Sequence, residues 1–220
     1  MVMPFLESCS KSGDGTPASN NNSTLLFANL SPDALPVNLY TNNKKQNTSA
    51  YYYPTPSSYF TLTEIGQTLQ IRHAGGTQSI IDTARGVTGV KGKFTLFLTG
   101  LAADSTLTTI FTVDTIKGVS TVGNGVMRFV NASPRSGLLD VYANGTKLFD
   151  GVDFAKYTSY KEMPAGNYNI KIYTHGDQTT VLNQINPATV GDGNIYTLYC
   201  YGIAGRTDSA AFHAGIIINK

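Results

Sequence analysis

The stretch FVNASPR (129–135) has a near copy in the same chain, FANLSPD (27–33). Shifting the sequence by 102 positions, from 27 to 129, aligns 27–45 with 129–147 without a gap, and seven of these 19 positions are identical. Two later pairs of segments also match, LQIRHAGGTQSII with IKIYTHGDQTTVL (69–81 and 170–182) and FTLFLTGLA with YTLYCYGIA (94–102 and 196–204). Self-similarity at a fixed period indicates one structural unit used twice.

Each copy has the pattern of short β-strands. Ile170 and Ile172 fall on one side of an extended chain and Lys171 on the other, which is the period of two that a half-buried strand requires. The dipeptide Asn144-Gly145, between two apolar runs, supplies the positive φ angles of a tight hairpin. About seven such strands per copy predict an all-β fold of two tandem antiparallel β-sandwich domains, immunoglobulin-like or transthyretin-like.

The composition agrees with strands and argues against several classes of protein. Charged residues make up 14% of the chain and the net charge is +2, so no strong field attracts nucleic acid. Cys9 and Cys200 lie at opposite ends, which argues against a disulfide framework, and Cys200 is expected to fill a core as a small hydrophobic residue. No run approaches the roughly 20 apolar residues of a membrane-spanning helix.

The repeated motif itself has a structural interpretation, which we favour over a ligand site. Phe27 and Phe129 anchor the first strand of each copy in a core, and the prolines that follow end its hydrogen-bond ladder. Asn and Ser before the proline bond nearby backbone groups. The next residue is Asp33 in one copy and Arg135 in the other, and a duplicated charged site would not reverse its sign.

The second copy resembles a known family. VMRFVNASPRSGLLDVYANGTKLF (126–149) and VDFAKYTSYKEMPAGNYNIKIYTHG (152–176) are similar to the domain of unknown function 4397, in its N-A-S-P turn, D-V-Y-x-N-G hairpin and P-A-G-x-Y turn. The first copy is a degenerate relative, with VNLYTNN (37–43) for the hairpin and TEIGQT (63–68) in place of the proline turn. The resemblance implies a β-sandwich of exported bacterial proteins, often lipid-anchored, with no assigned reaction.

The leader differs from the rest of the chain. Leu6-Glu7-Ser8-Cys9 resembles a bacterial lipoprotein box, in which the cysteine becomes the lipid anchor, and a polar tether follows at 10–23. The match departs from the pattern at Glu7, where a small residue is usual, and in the short segment before Cys9, which has no basic start. Two alternatives remain: a start codon placed too far downstream, or a chance cysteine in a disordered tail.

Motifs of catalysis and metal binding are missing from the sequence. GVTGVKGKF (86–94) has the wrong spacing for a phosphate loop, and His73, His175 and His213 are scattered and unmatched between the copies. Four carboxylates could cluster in space, although the sequence does not show that they do: Asp140, Asp150, Asp153 and Glu162. We therefore expect no enzyme, no cofactor and no metal.

A tyrosine-rich run is the most suggestive functional feature. AYYYPTPSSYF (50–60) places Tyr51, Tyr52, Tyr53 and Tyr59 around two prolines. Three consecutive tyrosines on an extended chain cannot all face a core, so at least one is expected to be exposed and able to stack on a sugar ring or a partner. The alternative is an edge strand whose tyrosines only cover neighbouring loops.

The sequence thus predicts four regions: a leader and disordered tether (1–22), a first, degenerate sandwich (23–115), a linker (116–123) and a second sandwich (124–220). The expected function is that of a non-catalytic cell-envelope lipoprotein, displaying two modules that bind or adhere to an unidentified protein or glycan. The alternatives are a carbohydrate-binding accessory protein of a glycan-uptake system and a structural spacer. We expect export and attachment to the outer membrane or cell surface, or to the periplasmic face, with membrane contact only through lipid on Cys9.

Overall fold

The computed structural model describes residues 23–62, 68–82, 92–116 and 121–220, and its regular structure consists of strands, with no helix in these residues. Nothing in the described ranges is therefore a helix of the length and apolar character needed to span a membrane. The strands are β1 Thr24–Asn29, β2 Val37–Thr41, β3 Lys44–Lys45, β4 Phe60–Thr61, β5 Leu69–His73, β6 Ser79–Asp82, β7 Lys93–Thr99, β8 Thr108–Val113, β9 Asn124–Asn131, β10 Leu139–Ala143, β11 Thr146–Val152, β12 Lys156–Tyr157, β13 Lys161–Pro164, β14 Gly166–Thr174, β15 Val181–Val190, β16 Ile195–Tyr201 and β17 His213–Ile218.

The strands form two β-sandwiches of the same topology. In the first, the sheet β4-β1-β7-β8 packs on the sheet β3-β2-β5-β6. In the second, the sheet β12-β9-β16-β17, with β13 also paired to β9, packs on the sheet β11-β10-β14-β15. The predicted all-β sandwich fold is confirmed, and equivalent strands of the two copies occupy equivalent places.

One strand pair in each sandwich is parallel, which the sequence did not indicate. β1 pairs with β7 and β9 with β16, and the partners are 69 residues apart in both pairs, as in Leu25 with Phe94 and Met127 with Tyr196. The other pairs of named strands are antiparallel. Because parallel strands are joined by long crossovers, local turn signals do not reveal such a pair.

Each sandwich has its own apolar core, and a third apolar layer joins the two sandwiches. In β1, Leu25 and Phe27 contribute to the first core, whereas Leu26 and Ala28 contribute to the third layer. The buried members of that layer are Leu26, Ala28, Leu30, Phe97, Ile110, Val130, Ala132, Tyr199 and Ile217. The inner strands are thus buried on both faces, which explains continuous apolar runs such as the one in β1.

A buried ion pair also joins the sandwiches. Arg128 of β9 pairs with Asp114, which follows β8, and their side chains are 2% and 0% exposed. Arg128 Nη2 also donates to Thr112 Oγ1 at 2.8 Å, so the guanidinium is held by the first sandwich. The pairing of β1 and β9 with their parallel partners places Leu26 at the position equivalent to Arg128. The second sandwich therefore contributes an arginine to the contact, whereas the first has a leucine at the same place.

A polar network continues from this ion pair across the contact. Asn219 occupies the place in the second sandwich that Asp114 has in the first, because β8 and β17 pair with their neighbours in the same way. Asp114 accepts a hydrogen bond from Thr95 Oγ1 at 2.6 Å, and Asn219 accepts one from Thr197 Oγ1 at 2.8 Å. Tyr59 links them, since it donates to Asp114 at 2.6 Å and accepts from Asn219 Nδ2 at 2.7 Å.

The repeated N-x-S-P motif makes the same turn in both copies. Asn131 Oδ1 accepts the N–H of Ser133 at 3.1 Å, and Asn29 Oδ1 accepts the N–H of Ser31 at 3.3 Å. These are the local side chain to backbone bonds that we expected at the end of the first strand. All four residues are buried, so the motif holds the chain as it leaves the sheet.

The charge reversal after the motif also has a structural reason. Asp33 accepts the N–H groups of Ala102 and Ala103 at 2.8 and 3.0 Å, and so fixes a loop of its own sandwich. Arg135 instead reaches the other sandwich, where its Nε donates to Asp104 Oδ2 at 3.2 Å. One position thus serves two structural purposes.

Candidate functional site

The tyrosine-rich run places its side chains in different directions. Tyr51 faces the first core, with its ring centroid 4.6 Å from that of Phe27 and 6.5 Å from that of Phe60. Burial raises the pKa of Tyr51 to about 12, so its hydroxyl stays protonated at neutral pH. This tyrosine is a packing residue.

Tyr53 and Tyr59 serve the contact between the sandwiches. The ring of Tyr53 meets that of Tyr201 edge-on at 5.8 Å, and burial raises the pKa of Tyr53 to about 12. Tyr59 belongs to the network of Asp114 and Asn219, and burial together with the Asp114 charge raises the pKa of its phenol well above the ordinary value. Neither of these side chains is free to stack on an extended ligand.

Tyr52 alone among the four is exposed, with 61% of its surface open. It lines a cleft of about 540 Å³ on the first sandwich, and Tyr51 and Phe60 contribute apolar surface to the wall. Amide, hydroxyl and other small side chains complete the wall: Gln46, Asn47, Thr48, Ser49, Ala50, Thr55, Pro56 and Ser57. The sequence carried no signal for the part of this wall at 46–49, since these residues come from a loop beside the run.

Asn47 fixes that loop. Its Oδ1 accepts the N–H of Leu39 at 2.9 Å, and its Nδ2 donates to Asn38 Oδ1 at 2.9 Å and to Ser49 O at 2.7 Å. Asn38 and Leu39 lie in β2, so one amide side chain attaches the loop to the sheet. The cleft is therefore formed by a loop held in place before any ligand binds, which lowers the cost of ordering it.

A cluster of charged groups lies on the second sandwich. Asp140 is buried, and its carboxylate accepts from His175 Nδ1 at 2.8 Å, from the N–H of Gly151 at 2.7 Å and from Lys147 Nζ at 2.9 Å. Burial acts to raise the pKa of Asp140, but these hydrogen bonds outweigh it and hold the pKa well below the ordinary value. Lys147 Nζ also pairs with Asp150 at 2.5 Å.

This cluster offers three ligating side chains, Asp140, Asp150 and His175, whose donor atoms lie within 4.8 Å of one another. The ammonium group of Lys147 already lies between the two carboxylates and pairs with both of them. The arrangement is therefore an ion-pair network. Of the four carboxylates considered from sequence, Asp140 and Asp150 meet here, and His175 joins them from 35 positions away.

The two cysteines have different positions. Cys200 is fully buried in the second core, and burial raises the pKa of its thiol far above the ordinary value, which suits a packed side chain and not a nucleophile. Cys9 and the rest of the proposed leader lie outside the described residues, as do 63–67 of the degenerate turn and 117–120 of the expected linker.

Comparison with known protein families identifies the family of this chain. The family model "Domain of unknown function (DUF4397)" matches residues 23–134 and again residues 125–214. The chain belongs to the DUF4397 family. The two matches correspond to tandem DUF4397 domains, as the internal repeat predicted, and the family has no assigned reaction.

Other comparisons add little to this DUF4397 assignment. The search among curated proteins found no match. Among solved structures, the C-terminal domain of AlgF from P. aeruginosa is similar over 44% of this chain and 98% of that chain, at 15% sequence identity and a TM-score of 0.34.

Proposed function

We propose that this DUF4397 protein is a non-catalytic binding protein of the cell envelope, and that it binds its partner in the cleft around Tyr52. The observation that carries the proposal is the exposure of Tyr52 at the mouth of a cleft of about 540 Å³. This volume lies within the roughly 300–1,000 Å³ of ordinary ligand sites. An exposed aromatic ring supplies contact area for a bound partner, and the fixed polar side chains beside it supply hydrogen bonds that orient that partner.

The titratable groups of the described ranges support binding rather than catalysis. The wall of the Tyr52 cleft has no carboxylate, histidine, cysteine or lysine side chain. The charged cluster around Asp140 lies on the other sandwich, where both of its carboxylates already pair with Lys147. General acid–base catalysis needs a group poised to exchange a proton with bound substrate. The cleft offers contact surface and hydrogen bonds, which suffice for recognition.

A glycan is the second candidate for the ligand of this cleft, in a carbohydrate-binding accessory protein of a glycan-uptake system. The specific observation is the combination of one exposed tyrosine with hydroxyl and amide side chains, Thr48, Ser49 and Gln46, in the same wall. A sugar ring presents an apolar face to an aromatic ring and hydroxyl groups to polar side chains. The first candidate is a protein partner, for which Tyr52 would serve as an anchor.

The location in the envelope is part of the same proposal. Leu6-Glu7-Ser8-Cys9 and the polar segment that follows support a lipid on Cys9 and a tether that holds the sandwiches away from an outer membrane or cell surface. The test is incorporation of labelled fatty acid in a full-length precursor. Labelling is expected to disappear with Cys9→Ala, and equal labelling of the two forms would contradict the anchor.

The binding site is tested by capture of partners from native envelope preparations and by a glycan array, both with the full chain. Tyr52→Ala should remove the captured partner or the array signal. Tyr157→Ala is the matched control, because Tyr157 is also an exposed tyrosine, 48% open, but lies on β12 of the second sandwich. Binding that survives Tyr52→Ala, or that is lost equally with Tyr157→Ala, would refute the assignment of the cleft.

A further inference from the structure

Strand β17 lies at the end of a sheet of the second sandwich, and its outer side has no partner strand. The sheet order is β12-β9-β16-β17, so β17 pairs with β16 alone among the described strands. A strand at the end of a sheet presents N–H and C=O groups that no neighbouring strand uses. Such a row of groups is a template for pairing with another extended chain.

The register of β17 shows which residues face outward. Asn219 continues the pairing beyond β17, and its N–H donates to the opposite residue, Ile195, at 2.7 Å, so this is a hydrogen-bonded pair. Hydrogen-bonded and non-hydrogen-bonded pairs alternate along an antiparallel ladder. The N–H and C=O groups of Ala214, Ile216 and Ile218 therefore point away from β16, and these three residues define the β17 edge. No hydrogen bond to their outward groups is found in the described part of the chain.

Most other edge strands of the described ranges have features that prevent such pairing. Charged side chains, a proline or a very short strand all oppose the addition of another strand. These features are the two-residue length of β4, Lys44 and Lys45 in β3, Asp82 in β6, Lys147 and Asp150 in β11, Lys156 in β12, Lys161 in β13 and Pro187 in β15. The sequence of β17, HAGIII, has no lysine, arginine, acidic residue or proline.

Strand β8 is the equivalent of β17 in the first sandwich, and its sequence, TTIFTV, is also uncharged. Its outward side, however, is occupied at one end. Val113, which holds the place of Ile218, accepts a hydrogen bond at its carbonyl from Arg128 Nη1 at 2.8 Å. Leu26, at the position equivalent to Arg128, has no side-chain donor, so the carbonyl of Ile218 stays free. The difference between Arg128 and Leu26 thus leaves the β17 edge as the more open of the two.

The side chains along the β17 edge are apolar. Ile217 faces the third apolar layer, whereas Ile216 packs against the second core from the other face of the strand. Ile218 is 63% exposed. An added strand would cover this isoleucine, and it would remove apolar surface from water without burying a charge.

The β17 edge is complementary to itself. Antiparallel pairing of two copies about a two-fold axis at Ile216 places Ile216 opposite its own copy and Ala214 opposite Ile218 of the second copy. Residues of a hydrogen-bonded pair exchange two hydrogen bonds, so every outward N–H and C=O group of the edge is satisfied. A two-fold axis brings like charges together when an edge is charged, and this edge has no such charge.

From these observations we infer that the β17 edge binds the β17 edge of a second copy of this chain, so that one sheet continues through a two-fold dimer. A closed two-fold contact uses the same surface on both subunits, and association through it stops at two chains. The inference is independent of the ligand of the Tyr52 cleft, which lies on the first sandwich.

The test uses the full chain with Cys9→Ala, so that neither lipid nor a disulfide at this position joins two molecules. Sedimentation velocity over about a hundredfold range of protein concentration should show a change from one chain to two. Amide hydrogen exchange, measured by NMR at both ends of this range, should be about tenfold slower in the dimer at Ala214, Ile216 and Ile218. A chain that stays monomeric, a larger assembly, or a dimer that leaves these amides unprotected would overturn the inference.

Variants make the test specific to this edge. Ile218→Lys adds a charge at an exposed position, and Ile218→Pro removes an outward N–H without taking a hydrogen bond from β16. Each should weaken the dimer by about tenfold or more, and the pair keeps the inference testable if one variant does not fold. The matched control is Val113→Lys, at the equivalent place in β8 and 51% exposed, for which an unchanged dimer is expected. A dimer that both Ile218 variants leave intact, or that Val113→Lys weakens equally, would overturn the inference.

Discussion

The two sandwiches share a topology and a strand register, yet the polar groups on their outer sheets differ. In the second, the buried carboxylate of Asp140 pairs with Lys147 Nζ at 2.9 Å and accepts a hydrogen bond from His175 Nδ1 at 2.8 Å. In the first, the equivalent residue is Asn38, which accepts from Asn47 Nδ2 at 2.9 Å and donates to Ala74 O at 3.4 Å. The comparison teaches that this fold requires a satisfied polar group here but not a charged one.

The hairpin turn shows the same separation of geometry from sequence. Asn144 and Gly145 have φ angles of 48° and 81° in the second sandwich, and Asn42 and Asn43 have 47° and 61° in the first. Asparagine tolerates the left-handed region better than most residues, so the first copy keeps the turn although it has lost the glycine. The backbone has been retained while the side chains above it have diverged.

The largest effect is expected where the sandwiches differ inside their contact, at the Arg128–Asp114 pair. Arg128→Leu introduces the residue of the first copy, Leu26, and should lower the free energy of unfolding by about 3–5 kcal/mol, because it leaves the Asp114 carboxylate buried without its cation. Adding Asp114→Asn, which copies Asn219, should recover much of that loss. Urea unfolding of wild type, the two single variants and the double variant measures these changes, and a double variant as unstable as the sum of the single variants would contradict the pairing.

The next largest loss of stability is expected at a glycine that both copies have at the equivalent position, Gly100 and Gly202. A Cβ atom on Gly202 would lie 2.0 Å from Ala211 O, and one on Gly100 would lie 2.1 Å from Thr106 O, both with positive φ. Gly205 has a similar φ of 83° but open space around it. Gly205→Ala should cost about 1–2 kcal/mol from the left-handed backbone alone. Thermal unfolding should show a loss at least twice as large for Gly202→Ala and Gly100→Ala, and equal losses for the three would show that the overlap does not matter.

A smaller effect is expected from Asp140→Asn, which converts the charged network of the second copy to the amide of the first. The pKa of Asp140 is depressed in the folded state, so its contribution to stability is present above the unfolded value near 4 and is lost as the pH falls below it. Wild type should therefore lose on the order of 2 kcal/mol more than Asp140→Asn between pH 7 and pH 2. Urea unfolding at the two pH values measures this, with Asp153→Asn, an exposed aspartate outside the network, as control, and parallel pH profiles of wild type and Asp140→Asn would contradict the assignment.

The smallest effect should appear at Cys200, whose equivalent in the first core is Leu98. Burial raises the pKa of the thiol, so little thiolate forms and reagents cannot reach it. In a Cys9→Ala chain at pH 8, a thiol reagent should label no cysteine while the protein is folded and one cysteine in denaturant. Rapid labelling of the folded chain would show that this core is open to solvent.

Much of the fold could be predicted from the sequence because its signals are local or repeated. The 102-residue offset predicted two equivalent sandwiches, and Asn144-Gly145 predicted the hairpin. The parallel pairing of β1 with β7 could not be predicted, since the partners are far apart and no turn joins them. The alternation of side chains along a strand likewise does not reveal that its second face is buried against another sheet.

The sites were predicted less well, for a related reason. The tyrosine run identified Tyr52, but the side chains opposite it come from a separate loop. Arg128 and Asp114 each look like ordinary surface residues in the sequence, because only the packing of two sandwiches removes them from water. The cluster of Asp140, Lys147 and His175 likewise joins side chains that lie far apart in the sequence, and it becomes visible only once the strands are paired.

The third apolar layer bears on how the two-domain chain evolved. It is made of the same strands from each copy, β1 with β9, β7 with β16 and β8 with β17, as in a homodimer whose subunits meet through one self-complementary face. A single-domain relative that kept this face would need a second subunit to cover it, and dilution would separate the two. Joining both halves in one polypeptide removes that dependence on concentration, and it frees each half to acquire residues, such as Arg128, that a symmetric pair would have to carry twice.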